Sequence, residues 1–173
     1  DSQVTLFSGW CGGMAGFLAA LQQAARHLPE GWHLRLKEHP SAKQSLAPLI
    51  GPLLADGRVV LDNATDSFAQ VAASQGVVTL NSSMGLQAFF HDKTVITLGR
   101  AFFNLSGLVH HAESQKGLNA LFAAPEALSY DAALRAAFLT WLDREYYVRF
   151  DWPGGTADTD AFRARLTAAR MPR

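Results

Sequence analysis

The chain has 173 residues, is 49 % hydrophobic, carries 15 basic against 15 acidic side chains and contains one cysteine. That size allows one good core, and the even charge balance excludes a global field that would draw the chain to nucleic acid. The single cysteine excludes an internal disulfide and a cysteine-built zinc site, and no apolar run reaches the roughly 20 residues of a membrane helix.

Residues 1–7 form an extended segment whose VTLF reads as a strand. The loop from Ser8 to Gly13 then leads into a helix, because Phe17, Leu18, Leu21, Ala25 and Leu28 recur at helical spacing. Pro29-Glu30-Gly31 ends that helix. Residues 33–37 alternate as a strand does, and Glu38-His39-Pro40 closes it, since the proline holds His39 extended and cannot continue a ladder. Residues 41–54 are predicted helical, interrupted by Pro48 and Pro52, and residues 59–61 make a third strand. Asp66 or Ser67 caps the next helix, which carries Phe68, Val71 and Ala72.

Residues 77–98 hold the most informative stretch, VVTLNSSMGLQAFFHDKTVITL. Val77 to Leu80 is a short β-branched run suited to a strand covered on both faces. Asn81, Ser82 and Ser83 follow directly and can cap a helix opening near Met84, while Gly85 permits a close approach to the backbone. Leu86, Phe89 and Phe90 give that helix an apolar face, and residues 94–98 return as a strand, completing a βαβ unit. The chain therefore reads as an α/β domain with a parallel sheet flanked by helices. Ser82 and Ser83 stand where a strand's carboxyl end meets a helix's amino end, a junction suited to phosphate.

Beyond residue 98 the pattern weakens. Residues 99–111 read as a loop, 117–122 as a short helix, and 130–147 as a long helix with Leu134, Phe138, Trp141, Leu142 and Glu145 on one side. Pro153-Gly154-Gly155 interrupts the chain before an arginine-rich last helix, whose Arg163, Arg165 and Arg170 read as a solvated face. Asp158-Thr159-Asp160 has the form of a metal-binding D-x-D but sits where a helix cap belongs, and His110-His111 lacks the spacing of a helical metal pair. There is no G-x-G-x-x-G fingerprint, Walker loop or G-x-S-x-G elbow. His39 at a strand end either pairs with a loop carbonyl or donates into the same crevice as the Asn81–Gly85 turn. Lys37 is either a solvated strand edge or a second charge for an anion.

Lys37-Glu38-His39-Pro40, the run from Val77 to Ala88, and VITLGRAFFNLSG at residues 95–107 together resemble the capsule polysaccharide biosynthesis family. Asp1-Ser2-Gln3 resembles the end of that family's Gln-x-x-x-Asp-Ser-Gln segment, and the likeness runs in order to about Trp152. Characterised members are β-Kdo transferases, which take 3-deoxy-manno-octulosonic acid (Kdo) from CMP-Kdo. The resemblance implies a GT-B-type carboxyl-terminal, Rossmann-like donor domain over residues 1–173, a piece of a longer two-domain glycosyltransferase. It assigns the CMP phosphate to His39, with leaving-group stabilisation as that residue's catalytic role, and to Ser82 and Ser83. Lys37, Asn81 and Gly85 are further candidates. Ser83 stands where threonine is commoner in the family, and Phe103 where tyrosine is usual.

The resemblance also implies no metal and no cofactor beyond the donor substrate. It implies a Kdo-bearing or lipid-linked saccharide acceptor bound by an amino-terminal domain, no nucleic acid, and a cytoplasmic location with peripheral attachment to the inner membrane as a variant. No carboxylate in the chain is assigned as nucleophile or base. The alternatives left open are a nucleotide-sugar or phosphometabolite binding module without catalytic duty, and a purely structural α/β domain.

Overall fold

The short β-branched runs become parallel strands in the computed structural model, which describes residues 7–38, 47–55, 57–151 and 154–170. Leu34–Leu36 (β1) pairs in parallel with Val59–Leu61 (β2), Leu34 opposite Val59. Gly76–Thr79 (β3) pairs in parallel with Thr94–Thr97 (β4), Val77 opposite Val95, and β4 pairs in parallel with His110–His111 (β5). Parallel neighbours require crossovers, and helices supply most of them. Met14–Ala25 (α1) precedes β1, Ala47–Leu54 (α2) joins β1 to β2, Ser67–Ala73 (α3) joins β2 to β3, and Ser83–Phe89 (α4) joins β3 to β4. This is a Rossmann-like arrangement of parallel strands and flanking helices. Of the predicted first strand only Phe7 lies among the described residues; its carbonyl accepts from the Arg100 amide at 2.7 Å.

Local chemistry explains the boundaries. Asp66 caps α3 by accepting from the Phe68 and Ala69 amides at 2.9 and 3.1 Å, and Ser82 caps α4 by accepting from Met84 at 3.2 Å. Pro48 falls near the start of α2 as described, and Pro52 lies inside it, where its missing amide leaves one i−4 carbonyl without its helical donor. The predicted loop over residues 99–111 is corrected at its end: His110 and His111 form β5, too short and too polar to show a period of two.

Helix α1 turns Leu18, Leu21, Ala24 and Ala25 onto a core that also holds Leu53, Val59, Leu80, Ile96 and Leu98. Gln115–Ala123 (α5) packs on α1, adding Leu118 and Phe122, and the Gln115 side chain donates to the Ala20 carbonyl at 3.1 Å. Elsewhere Phe103 is fully buried, with Phe89 and Phe102 meeting it edge-on at 5.9 and 5.3 Å between centroids. Each such aromatic or aliphatic side chain contributes about 1.5–3 kcal/mol by leaving water.

The contacts divide the chain into two units, Asp1–Tyr130 and Asp131–Arg173. In the second, Ala132–Trp141 (α6) is capped by Asp131, which accepts from the Leu134 amide at 2.9 Å. The predicted long helix widens after α6 into a π turn at Leu142–Tyr146. Phe150–Asp151 (β6) and Thr156–Ala157 (β7) make an antiparallel hairpin, and Asp158 caps Thr159–Arg170 (α7) through the Ala161 amide at 2.9 Å. Arg165, read from sequence as part of a solvated face, instead donates to the carbonyls of Tyr147 and Arg144 that the π turn leaves behind. No helix among the described residues is long and apolar enough to cross a membrane.

Candidate functional site

The carboxyl ends of β3 and β4 build a compact turn from the Asn-Ser-Ser sequence. Thr79 is buried, and its hydroxyl oxygen accepts from the Ser82 amide at 3.0 Å, which turns the chain sharply off the strand. The carbonyls of Thr79 and Leu80 remain in the ladder, accepting from Leu98 at 3.0 Å and Gly99 at 2.9 Å. Ser82 then adopts the extended conformation of a cap residue, φ −68 and ψ 144, and its carbonyl accepts from Gly85 at 3.0 Å.

Ser82 and Ser83 are exposed and Asn81 is half-buried. The Ser82 hydroxyl oxygen accepts one bond from the helix, from the Met84 amide, and its hydroxyl proton is left for an outside acceptor. Among the described residues the Ser83 hydroxyl makes no hydrogen bond. Ser82 and Ser83 can thus both donate outward. The close approach at Gly85 comes from inside the fold: a Cβ there would stand 3.0 and 3.1 Å from the Phe103 ring and 3.1 Å from the Thr79 methyl.

Lys37 lies at the end of β1, half-buried, and donates to the carbonyls of Asn63 at 3.1 Å and Thr65 at 2.6 Å. Glu38 and Asn63 exchange two hydrogen bonds, of 3.0 and 2.7 Å, and Arg35 pairs with Asp62 at 2.9 Å. Asp62 also accepts from the amides of Thr65 and Ala64 at 2.9 and 3.1 Å. Hydrogen bonding by the Thr65 backbone, then the Thr65 side chain, holds the Asp62 carboxyl below its usual value, with Ala64 and Arg35 adding to the effect. The ends of β1 and β2 are therefore stitched together, and two of the three ammonium protons of Lys37 belong to that stitch. His39 and Pro40 lie outside the described residues.

Sequence reasoning missed Arg100. It is exposed and follows Gly99, whose amide bonds to Leu80, so the backbone of this cation belongs to the same edge as the serine turn. Its signal was its position two residues past the end of a predicted strand. Gly99 itself is required there, because a Cβ would lie 3.0 Å from the Leu80 carbonyl oxygen and closer still to that of Phe7.

Residues 1–147 match a family model described as capsule polysaccharide biosynthesis protein. A curated relative, Protein FixF of Sinorhizobium fredii (strain NBRC 101917 / NGR234), is 36 % identical over 149 residues, which cover 86 % of this chain and 36 % of that protein. The chain thus spans about a third of that relative's length. No solved structure matches.

Proposed function

The chain belongs to the capsule polysaccharide biosynthesis family, and from that premise we propose that it is the donor-binding part of a glycosyltransferase that holds CMP-Kdo by its phosphate. The observation that carries the reading is the exposed Ser82-Ser83 turn at the carboxyl edge of a parallel sheet, the side on which α/β folds bind ligands. CMP departs as a phosphate anion, so catalysis on this side of the reaction consists of binding that anion more tightly as its charge grows. Ser82 and Ser83 donate through their hydroxyls, His39 is assigned to the same phosphate by the family resemblance, and Arg100 supplies positive charge. Lys37 acts mainly by fixing the strand end that leads to His39, with one proton left for the anion; Asn81 lines the turn. Gly85 serves by letting α4 sit close to Phe103, which sets the position of the serines. The saccharide acceptor, Kdo-bearing or lipid-linked, and the group that activates it belong to another part of the longer protein.

Calorimetry with CMP, UMP and cytidine tests the reading. CMP should bind more tightly than either of the others, and Ser83→Ala should weaken CMP while leaving cytidine unchanged. Equal binding of CMP and cytidine would show that the phosphate contributes nothing and would remove the site.

A further inference from the structure

Residues 76–80 read Gly-Val-Val-Thr-Leu, and the Thr79 hydroxyl is the polar exception in that run. Thr79 ends β3, is 7 % exposed and stands opposite Thr97 of β4. A valine would fit the strand equally well and bring no hydroxyl to desolvate, and a buried hydroxyl is costly unless it is hydrogen-bonded. The bond it makes is local, Oγ1 accepting from the Ser82 amide at 3.0 Å. The hydroxyl of Thr79 therefore serves the turn that follows the strand, not the ladder.

The two sides of that turn are held separately. On the strand side the Thr79 and Leu80 carbonyls accept from the Leu98 and Gly99 amides at 3.0 and 2.9 Å. On the helix side the Ser82 carbonyl accepts from Gly85 at 3.0 Å, and the Ser82 hydroxyl oxygen accepts from Met84 at 3.2 Å. Among the described residues the bond from Ser82 to Thr79 is the one hydrogen bond that crosses from β3 to the start of α4. The other branch of Thr79 faces the same helix: its methyl lies 3.1 Å from where a Cβ on Gly85 would stand. Hydroxyl and methyl thus have different tasks, the first on the residue that caps α4 and the second on its first turn.

We propose that Thr79 is a positioning residue of the anion site, whose Oγ1 fixes the turn that presents the Ser82 and Ser83 hydroxyls to one phosphate. Thr79 touches no ligand itself. With its bond in place the competent turn is populated before the ligand arrives. Without it, the apparent affinity falls in proportion to the share of chains whose turn is competent. One neutral hydrogen bond shifts such a balance by roughly three- to tenfold. The consequence for phosphate rests on the reading of a CMP-Kdo donor, whereas the holding of the turn does not.

Two substitutions in the full 173-residue chain separate the hydroxyl from the methyl. Thr79→Val keeps the shape and removes the acceptor, and Thr79→Ser keeps the acceptor and removes the methyl. Calorimetry with CMP and with cytidine, melting temperature, and hydrogen exchange of the Ser82 amide by NMR are read on the parent and both variants. Thr79→Val should weaken CMP roughly three- to tenfold, leave cytidine unchanged and speed exchange at Ser82. Thr79→Ser should keep the parent's CMP affinity while melting lower, because a buried methyl is lost. A threonine that only packed the sheet would not separate affinity from stability in this way. Parent-like CMP affinity in Thr79→Val, in a parent that prefers CMP to cytidine, overturns the positioning role, and so does a loss of CMP affinity in Thr79→Ser. A parent with no preference for CMP over cytidine removes the phosphate reading; faster Ser82 exchange in Thr79→Val then still assigns the turn to Thr79, and unchanged exchange overturns that assignment.

Discussion

Gly85→Ala sets two opposed effects against each other, and the structure decides between them. Within α4 the substitution favours the helix, because glycine costs about 1 kcal/mol relative to alanine in a helix interior. Against that, the new methyl would stand 3.0 and 3.1 Å from Phe103 and 3.1 Å from the Thr79 methyl, tighter than side chains ordinarily pack. Neither neighbour yields cheaply. Phe103 is fully buried between the edges of Phe89 and Phe102, and Thr79 is held in its rotamer by the Ser82 amide at 3.0 Å. Overpacking of this kind costs about 1–3 kcal/mol. We therefore expect a net loss of up to about 2 kcal/mol, and a melting temperature lower by up to about 8 °C for a chain of this size.

Thermal unfolding followed by circular dichroism measures this, and Phe103→Leu supplies the second arm of a double-mutant cycle. If the clash is with the ring, the combined variant should be more stable than the sum of the single losses implies. A Gly85→Ala chain that melts at or above the parent temperature would refute the packing argument. Unchanged melting with lost CMP binding would return Gly85 to the ligand.

His39→Ala should leave the melting temperature nearly unchanged while weakening CMP and reducing turnover of the proposed transferase by about 3 kcal/mol of transition-state stabilisation; a lowered melting temperature with CMP affinity intact would make it a structural histidine. Asp62 has a depressed carboxyl pKa, so its contribution is present above the ordinary carboxylate range and is lost as pH falls through the folded value. The stability difference between parent and Asp62→Asn, read from urea midpoints, should accordingly shrink between about pH 7 and about pH 3, and a difference independent of pH would contradict the assignment. Burial pushes the Cys11 thiol from 9.0 to about 11, so the folded chain retains a proton that the unfolded chain releases, and stability should fall as pH rises across that interval. Iodoacetamide should label Cys11 in urea and spare it in the native chain at neutral pH; fast native labelling would disprove its burial.

What was legible in the sequence was whatever a segment specifies by itself. The β-branched runs of β3 and β4 and the Asn-Ser-Ser turn between them carry their own period and cap, and the strands and the helix formed with Ser82 as the cap. The α/β class followed from that unit. Partners distant in the chain left no local trace. Gly85 read as room for a ligand, yet the Phe103 ring fills that room. Lys37 read as either a solvated strand edge or a charge for an anion, and its bonds to the carbonyls of Asn63 and Thr65 in the loop after β2 were in neither reading. β5 owes its pairing to β4, because two histidines have no strand pattern of their own. The π turn after α6 was equally hidden, since Leu142 and Glu145 continue the helical spacing that the backbone abandons.

The same accounting indicates where the edge of the sheet can still bind something. On the β1–β2 side, Lys37, Glu38, Arg35 and Asp62 are already partnered with one another's loops. On the β3–β4 side the Ser82 hydroxyl proton, the Ser83 hydroxyl and the exposed Arg100 remain. Exposed donors grouped at the carboxyl edge of a parallel sheet stand where an anion can take them up. A phosphate at the turn would accept from both serine hydroxyls and draw on the charge of Arg100, which is what the anion end of the proposed nucleotide-sugar donor requires.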